Sequence, residues 1–348
     1  MKALVLEKFG SLVVEELPAP EPAAGEVLIQ VVVTGICGSD IHGFTGENGR
    51  RVLGQVMGHE SVGHVIGFGT GADGSGLSLG QAVTFNPVVV PESELEEYAG
   101  REQHSPGKYV IGVRSDVVSA FAQLIAVPRR NVFALPEGVP IIHGALVEPL
   151  AVAIHAVRRV EVEPGQLVLV VGGGPIGQSV VLALRVAGVT SIVVSELTPA
   201  RRAMIQALGA STIDPSGAPL CEQVIAEFGR LADVAIDAVG VSRTLADSLV
   251  STRLGGKVCL VGMGAPSVDL QAFDVSTEER SIIGSFTYSA RDFADAVEWI
   301  AADPTGADAM ISRQVSLDDA NDAFVALAEG DGTAGKVLVR LDGAAEAK

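Results

Sequence analysis

From residue 165 onward the chain alternates short apolar runs with helix-length segments: LVLVV, residues 175–187, SIVVS, a helix from 199, then DVAIDAV and KVCLVG. Strands buried on both faces read as continuous apolar runs, and parallel neighbours need a crossover between them, so this alternation predicts an α/β fold with a parallel, doubly wound sheet. Within it, residues 168–178 read VLVVGGGPIGQ, placing Gly172, Gly174 and Gly177 as G-x-G-x-x-G between a strand and a helix. The first glycine permits a tight turn, the second lets backbone approach a pyrophosphate, and the third lets helix and strand pack closely. Pro175 and Ile176 fill the two variable positions and belong to the same cradle, where a dinucleotide's phosphates meet N–H groups at a helix N-terminus. Glu196 ends the next strand, SIVVSE, 19 residues after Gly177. A carboxylate there accepts from both ribose hydroxyls and repels a 2′-phosphate, so NAD is expected over NADP, with Arg201 and Arg202 close enough to weaken the preference.

The first 145 residues have another texture: short β-branched runs (VLIQVVV, QAVTF) cut by Gly and Pro, as in an irregular β-rich domain. After Gly284 come two amphipathic helical stretches, near 290–302 and 317–329, and a strand VLVRL that need not join the parallel sheet. Residues 91–106 are acidic and aperiodic, and read as a surface lobe.

Two short segments of the first half carry chemistry, GICGSDIH at 35–42 and GHESVGHVIGFG at 58–69. Cys37 offers a thiolate, His59 an imidazole, and Glu60 or Glu148 a carboxylate, which is the ligand set of a catalytic zinc with one position open. These segments, with VEPLAV at 147–152 and the glycine loop, resemble the zinc-containing medium-chain alcohol and polyol dehydrogenases over nearly the whole chain. The resemblance implies a GroES-like β-rich catalytic domain over 1–150, a Rossmann domain over 151–285, and a return to the catalytic domain over 286–348. It implies hydride transfer between NAD and a secondary alcohol or ketone on a catalytic zinc. Where the alcohol dehydrogenases place a second cysteine, this chain has Glu148, as in the sorbitol dehydrogenase branch. Which of Glu60 and Glu148 binds metal directly is left open at this stage. Ser39 and His42 match the two ends of the family's proton relay from alcohol to water, while Asp40 is assigned to shaping the loop or fixing a neighbouring side chain.

Two departures matter. Relatives with a structural zinc hold it by four cysteines in a lobe, whereas the corresponding places here are Pro91, Glu94, Glu97 and Ser105; one zinc per subunit is therefore expected, without the structural one. In SFTYSARDF the residue before Tyr288 is Thr287, where sorbitol dehydrogenases commonly carry an arginine facing the polyol. Polyols, vicinal diols, amino-cyclitols, sugar-derived alcohols and L-threonine thus stay open as substrates.

The remaining features bound the reading. With 42 acidic and 24 basic side chains the formal net charge is −18, a field that repels nucleic acid. Arg185 and His155 interrupt the longest apolar runs below the roughly 18 residues of a membrane span, and no signal peptide is evident, so a cytoplasmic protein is expected. Cys221 and Cys259 read as small core residues, and His64, His104, His143 and His155 as packing or surface residues. The resemblance implies a homodimer or homotetramer. Two rival readings are a zinc-free quinone or enoyl reductase of the same superfamily, separated by metal content, and an idle NAD-binding regulatory protein, separated by turnover.

Overall fold

The strand Glu26–Gly35 organises the first half of the protein. In the computed structural model, which describes residues 1–342 apart from 48, 74 and 75, the chain forms two units. The first comprises Met1–Glu148, Tyr288–Asp331 and the chain from Lys336; the second comprises Pro149–Thr287 and Gly332–Gly335.

In the first unit Glu26–Gly35 (EVLIQVVVTG) begins by alternating buried and less buried residues and ends buried on both faces, as its β-branched run demands. It pairs antiparallel with Glu60–Phe68, Leu124–Pro128 and Lys336–Arg340. Ala82–Phe85, Val132–Ala134 and Ile311–Ser316 complete a seven-stranded sheet. Val27, Ile29, Val31, Val65, Phe121 and Phe324 fill the core against it. Register then fixes the chemistry, because Gly35 lies opposite Glu60, which brings Cys37, two residues beyond, alongside His59 and Glu60. The first expected late helix runs Ala290–Ala302, started by a capping box in which the Ser289 side chain accepts from Asp292 N. The second is shorter than its apolar pattern, Ala320–Ala328, because the preceding residues turn as Ser316 Oγ donates to Asp319 Oδ2 at 2.5 Å.

In the second unit six parallel strands stand in the order Ser211–Ile213, Ser191–Ser195, Leu167–Val171, Ala232–Asp237, Thr252–Leu260, Ser281–Gly284. The order reverses between Leu167–Val171 and Ala232–Asp237, the switch point at which doubly wound sheets open a crevice beyond their carboxyl ends. Every residue of Leu167–Val171 is buried, which explains its uninterrupted apolar run. Cys259 is buried here too, and burial pushes its thiol up to about 12, so it serves as a small core residue. Thr287 has φ 50°, a region β-branched residues enter only at a cost, and its buried Oγ1 has no hydrogen-bond partner among the described residues.

Two features differ from the sequence reading. Gly332–Gly335, placed there in the C-terminal return, belongs to the second unit: Gln178 Nε2 donates to Ala334 O at 2.7 Å and Arg201 Nε to Thr333 O at 3.2 Å. The helical run Ile141–Arg159 is also long and apolar enough to cross a membrane by length and composition, since the helix passes through His155 without a break. Of that run 78% is buried inside the protein, the condition of a core helix.

Candidate metal centre and dinucleotide loop

Cys37 leaves the central strand and becomes the extended N-cap (φ −90°, ψ 154°) of the helix Gly38–Thr45. Asp40, three residues on, accepts from Cys37 N through Oδ2 at 3.2 Å and thereby fixes the backbone that carries the thiol. The ligand atoms of Cys37, His59 and Glu60 all lie within 4.8 Å of one another, with His59 and Glu60 buried. Of the two carboxylates left open by the sequence, Glu60 is the one in this cluster. Glu148, in the first turn of the helix Val147–Arg159, instead accepts from the Tyr288 hydroxyl at 2.8 Å.

Three buried groups here escaped the sequence reading: Tyr288, Lys336 and Arg51. Lys336 Nζ straddles the Glu60 carboxylate, 2.7 Å from each oxygen, donating to Oε1 and leaving Oε2 without a hydrogen bond. Arg51 Nη2 stands 3.8 Å from Asp40 Oδ1, and His59 Nδ1 stands 3.6 Å from the same oxygen. In the deprotonated state that a bound metal requires, Cys37, Asp40, Glu60 and Glu148 would carry two more negative charges than Arg51 and Lys336 carry positive ones. Uncompensated buried charge is expensive, and a divalent cation removes that excess.

Without a metal, protons take up part of that negative charge. Burial alone would lower His59, yet Asp40 and Cys37, with a smaller pull from Glu148, raise it well above the usual imidazole range. Burial likewise opposes charge on Lys336, and Glu60 and Cys37 outweigh it and raise the ammonium. Burial pushes Asp40 up against the pull of His59 and Arg51, and pushes Glu148 up to about 7 against the pull of His59. Tyr288 is raised well above its ordinary value by burial and then by the charge of Glu148. The site therefore attracts positive charge strongly, and a thiolate, an imidazole and a carboxylate are suitable donors for zinc.

Ser39 and His42 share the helix Gly38–Thr45 three residues apart, hence one face of it. Ser39 is half-buried, while the His42 side chain is 42% exposed with Nδ1 3.1 Å from Glu47 Oε2.

In the lobe, Glu94 ties two segments together. Its Oε2 accepts from the Ser105 hydroxyl and from Gly107 N at 3.0 Å, and Glu102 Oε2 accepts from Ala290 N at 3.0 Å. Glu97 contributes its carbonyl, which accepts from Arg101 Nη2 at 3.1 Å, and Pro91 begins a short 3-10 turn.

The glycine loop of the second unit has the geometry its sequence requires. Gly172 turns with φ 98°, and a Cβ on Gly177 would lie 1.9 Å from Gly172 O, so neither position admits a side chain. Gly174 is the extended N-cap of the helix Pro175–Val186, with Pro175 at its first position and Ile176 half-buried beside it. Glu196, 7% exposed, accepts from Gly173 N and Thr198 N, each at 2.7 Å, one bond to each oxygen. A second lone pair on each oxygen stays available to a ribose hydroxyl. Arg202 is committed to Glu196 O, Leu197 O and Asp214, which leaves Arg201, in the helix Pro199–Ala207, as the cation facing the loop.

Comparison with known proteins is consistent across both units. Residues 23–137 match the alcohol dehydrogenase GroES-like domain and residues 175–302 the zinc-binding dehydrogenase model. Sorbitol dehydrogenase of Ovis aries is 30% identical, over 98% of this chain and 96% of its own. The crystal structure of 2R,3R-butanediol dehydrogenase from Bacillus subtilis superposes with TM-score 0.87 at 28% identity, covering 97% of this chain and 99% of that one. A protein from Sinorhizobium meliloti, bound to NADP in its crystal, superposes with TM-score 0.85 at 30% identity, covering 97% and 98%. With a metal cluster, a dinucleotide loop and full-length relatives in agreement, the chain belongs to the zinc-binding, GroES-like alcohol dehydrogenase family.

Proposed function

We propose that this dehydrogenase uses NAD in preference to NADP, holds one zinc per subunit, and acts on a secondary alcohol whose neighbouring carbon bears another hydroxyl. The observation that carries the reading is the cluster Cys37, His59 and Glu60, whose ligand atoms all lie within 4.8 Å of one another. When bound there, the zinc supplies Lewis acidity at an alcohol or carbonyl oxygen. Cys37, His59 and Glu60 would hold it; Glu148, fixed by Tyr288, presents a carboxylate beside the cluster. Ser39 takes the departing proton and His42 returns it to water, with Glu47 orienting the imidazole. The lobe is closed by Glu94 and Ser105, which supports a single zinc. Sorbitol and butanediol, the substrates in two relatives' names, both carry adjacent hydroxyls, which supports a hydroxyl-flanked alcohol. A homodimer or homotetramer is part of this reading, with Ser281–Gly284 one of the two edge strands of its sheet, the other being Ser211–Ile213.

The test is zinc per subunit by elemental analysis, with NAD reduction screened over vicinal diols, polyols, cyclitols and L-threonine against simple secondary alcohols. One zinc and higher kcat/KM on the hydroxyl-flanked alcohols are expected. No zinc after metal-replete purification would instead favour the zinc-free reductase. For cofactor choice, Glu196→Ala removes the repulsion of a 2′-phosphate and leaves Arg201 beside the loop. The ratio of kcat/KM for NADP over NAD is expected to rise about tenfold or more, near 1.4 kcal/mol; an unchanged ratio would remove Glu196 from cofactor selection.

Tyr288→Phe tests the carboxylate beside the metal. The hydroxyl's hydrogen bond lowers the Glu148 pKa, so its loss lets Glu148 hold its proton to higher pH. The acidic limb of the pH–rate profile is expected to move to higher pH while NAD affinity stays constant, and a shift to lower pH would contradict the role given to Tyr288.

A further inference from the structure

Arg51 is a buried cation beside the metal centre that neither sequence motif includes. Its side chain is 1% exposed, and Nε and Nη2 have no hydrogen-bond acceptor among the described residues. The helix Gly38–Thr45 is notched to receive it, since a Cβ on Gly43 would lie 2.5 Å from Arg51 Cγ and 3.1 Å from its Nε. Burying a guanidinium costs several kcal/mol unless a nearby anion compensates, so an apolar side chain would fill this space with less penalty. The anion is Asp40, wholly buried, 3.8 Å from Arg51 Nη2.

Asp40 in turn faces both neighbouring ligands. Oδ2 accepts from Cys37 N, and Oδ1 stands 3.6 Å from His59 Nδ1 without a hydrogen bond. A neutral histidine that binds metal through one ring nitrogen carries its proton on the other, which an outer carboxylate orients. Nδ1 faces Asp40, which leaves Nε2 for the metal.

We propose that Arg51 is a positioning residue of the metal centre, supplying the counter-charge that holds the Asp40 carboxylate between Cys37 and His59 and thereby sets the orientation of both ligands. This rests on the reading of Cys37, His59 and Glu60 as a zinc site. Lys336 cannot substitute for Arg51, because its ammonium is engaged by Glu60 and by Ile36 O. Arg51 acts only through Asp40, so its influence on the metal vanishes when that carboxylate is removed.

The experiment compares wild type, Arg51→Gln, Asp40→Asn, the double variant and Arg51→Lys. Zinc affinity is measured by competition with a chromophoric chelator, the cobalt(II)-loaded spectrum reports ligand geometry, and NAD affinity serves as the control. Arg51→Gln is expected to weaken zinc binding about 10–100-fold and to shift the thiolate-to-cobalt band, with NAD affinity unchanged. In the Asp40→Asn background the same substitution is expected to change zinc affinity less than about twofold. Should the glutamine variant not fold, Arg51→Lys carries the comparison: it is expected to lose affinity a few-fold beside Asp40 and not at all beside Asn. Unchanged affinity in the Arg51 single variants, or an equal loss in both backgrounds, overturns the proposal and leaves Arg51 a packing residue. Failure of the wild type itself to take up zinc overturns the metal reading, and the proposal with it.

Discussion

Replacing Cys37 by serine is expected to abolish zinc retention and lower turnover more than about a hundredfold, beyond the 10–100-fold typical of losing an outer partner of a ligand. The thiolate is one of three donors within 4.8 Å, and a serine hydroxyl at neutral pH offers neither its charge nor its affinity for zinc. NAD affinity should stay within about twofold of wild type, because the glycine loop belongs to the other unit. Elemental analysis, single-turnover kinetics and NAD titration of the purified variant give the three readings. Retained turnover would disprove the assignment of the metal centre outright.

The second large effect concerns Lys336. Its pair with Glu60 is almost completely buried, 2% and 0% exposed at the side chains. Removing one partner of a buried pair leaves the other charged and unsolvated, at about 3–5 kcal/mol. Lys336→Met should therefore destabilise the metal-free protein by about that amount, seen as a lower urea midpoint. Loss of a positive neighbour should at the same time strengthen zinc binding, so added zinc is expected to recover more stability in the variant than in wild type. A variant that unfolds at the wild-type midpoint without metal would mean that Glu60 is not held as an anion there.

What could be read in the sequence was what lies close along the chain. Gly172, Gly174 and Gly177 announce themselves because turn, close approach and helix start fall within six residues. Cys37 and the adjacent pair His59–Glu60 are recognisable because each sits in its own compact motif, and one strand register then joins the two. The parallel sheet was legible because full burial on both faces forces apolar runs such as Leu167–Val171. Tyr288 and Lys336 were not legible for a common reason. Tyr288 meets Glu148 across 140 residues and Lys336 meets Glu60 across 276, and no local pattern marks a lysine at the start of an apolar strand as the partner of a distant acid. Which of Glu60 and Glu148 lies within 4.8 Å of Cys37 and His59 was equally out of reach, because it turns on how segments distant in the chain pack together. Gly332–Gly335 escaped as well, since backbone carbonyls hold that segment to Gln178 and Arg201, and every residue type has a carbonyl.

The insertion of Pro149–Thr287 between two halves of the first unit has a consequence for synthesis. The central strand Glu26–Gly35 waits for Lys336–Arg340 as one of its neighbours, whereas the six strands of the second unit are contiguous within 167–284. On a chain emerging from the ribosome at 5–20 residues per second, the parallel sheet can close first, while Glu26–Gly35 stays without one neighbour until Lys336–Arg340 has been made. Glu60 acquires its buried cation only once Lys336 has been made, so the metal centre matures after the parallel sheet, and a chain stalled before that point would expose its thiol and carboxylates without the strand that encloses them.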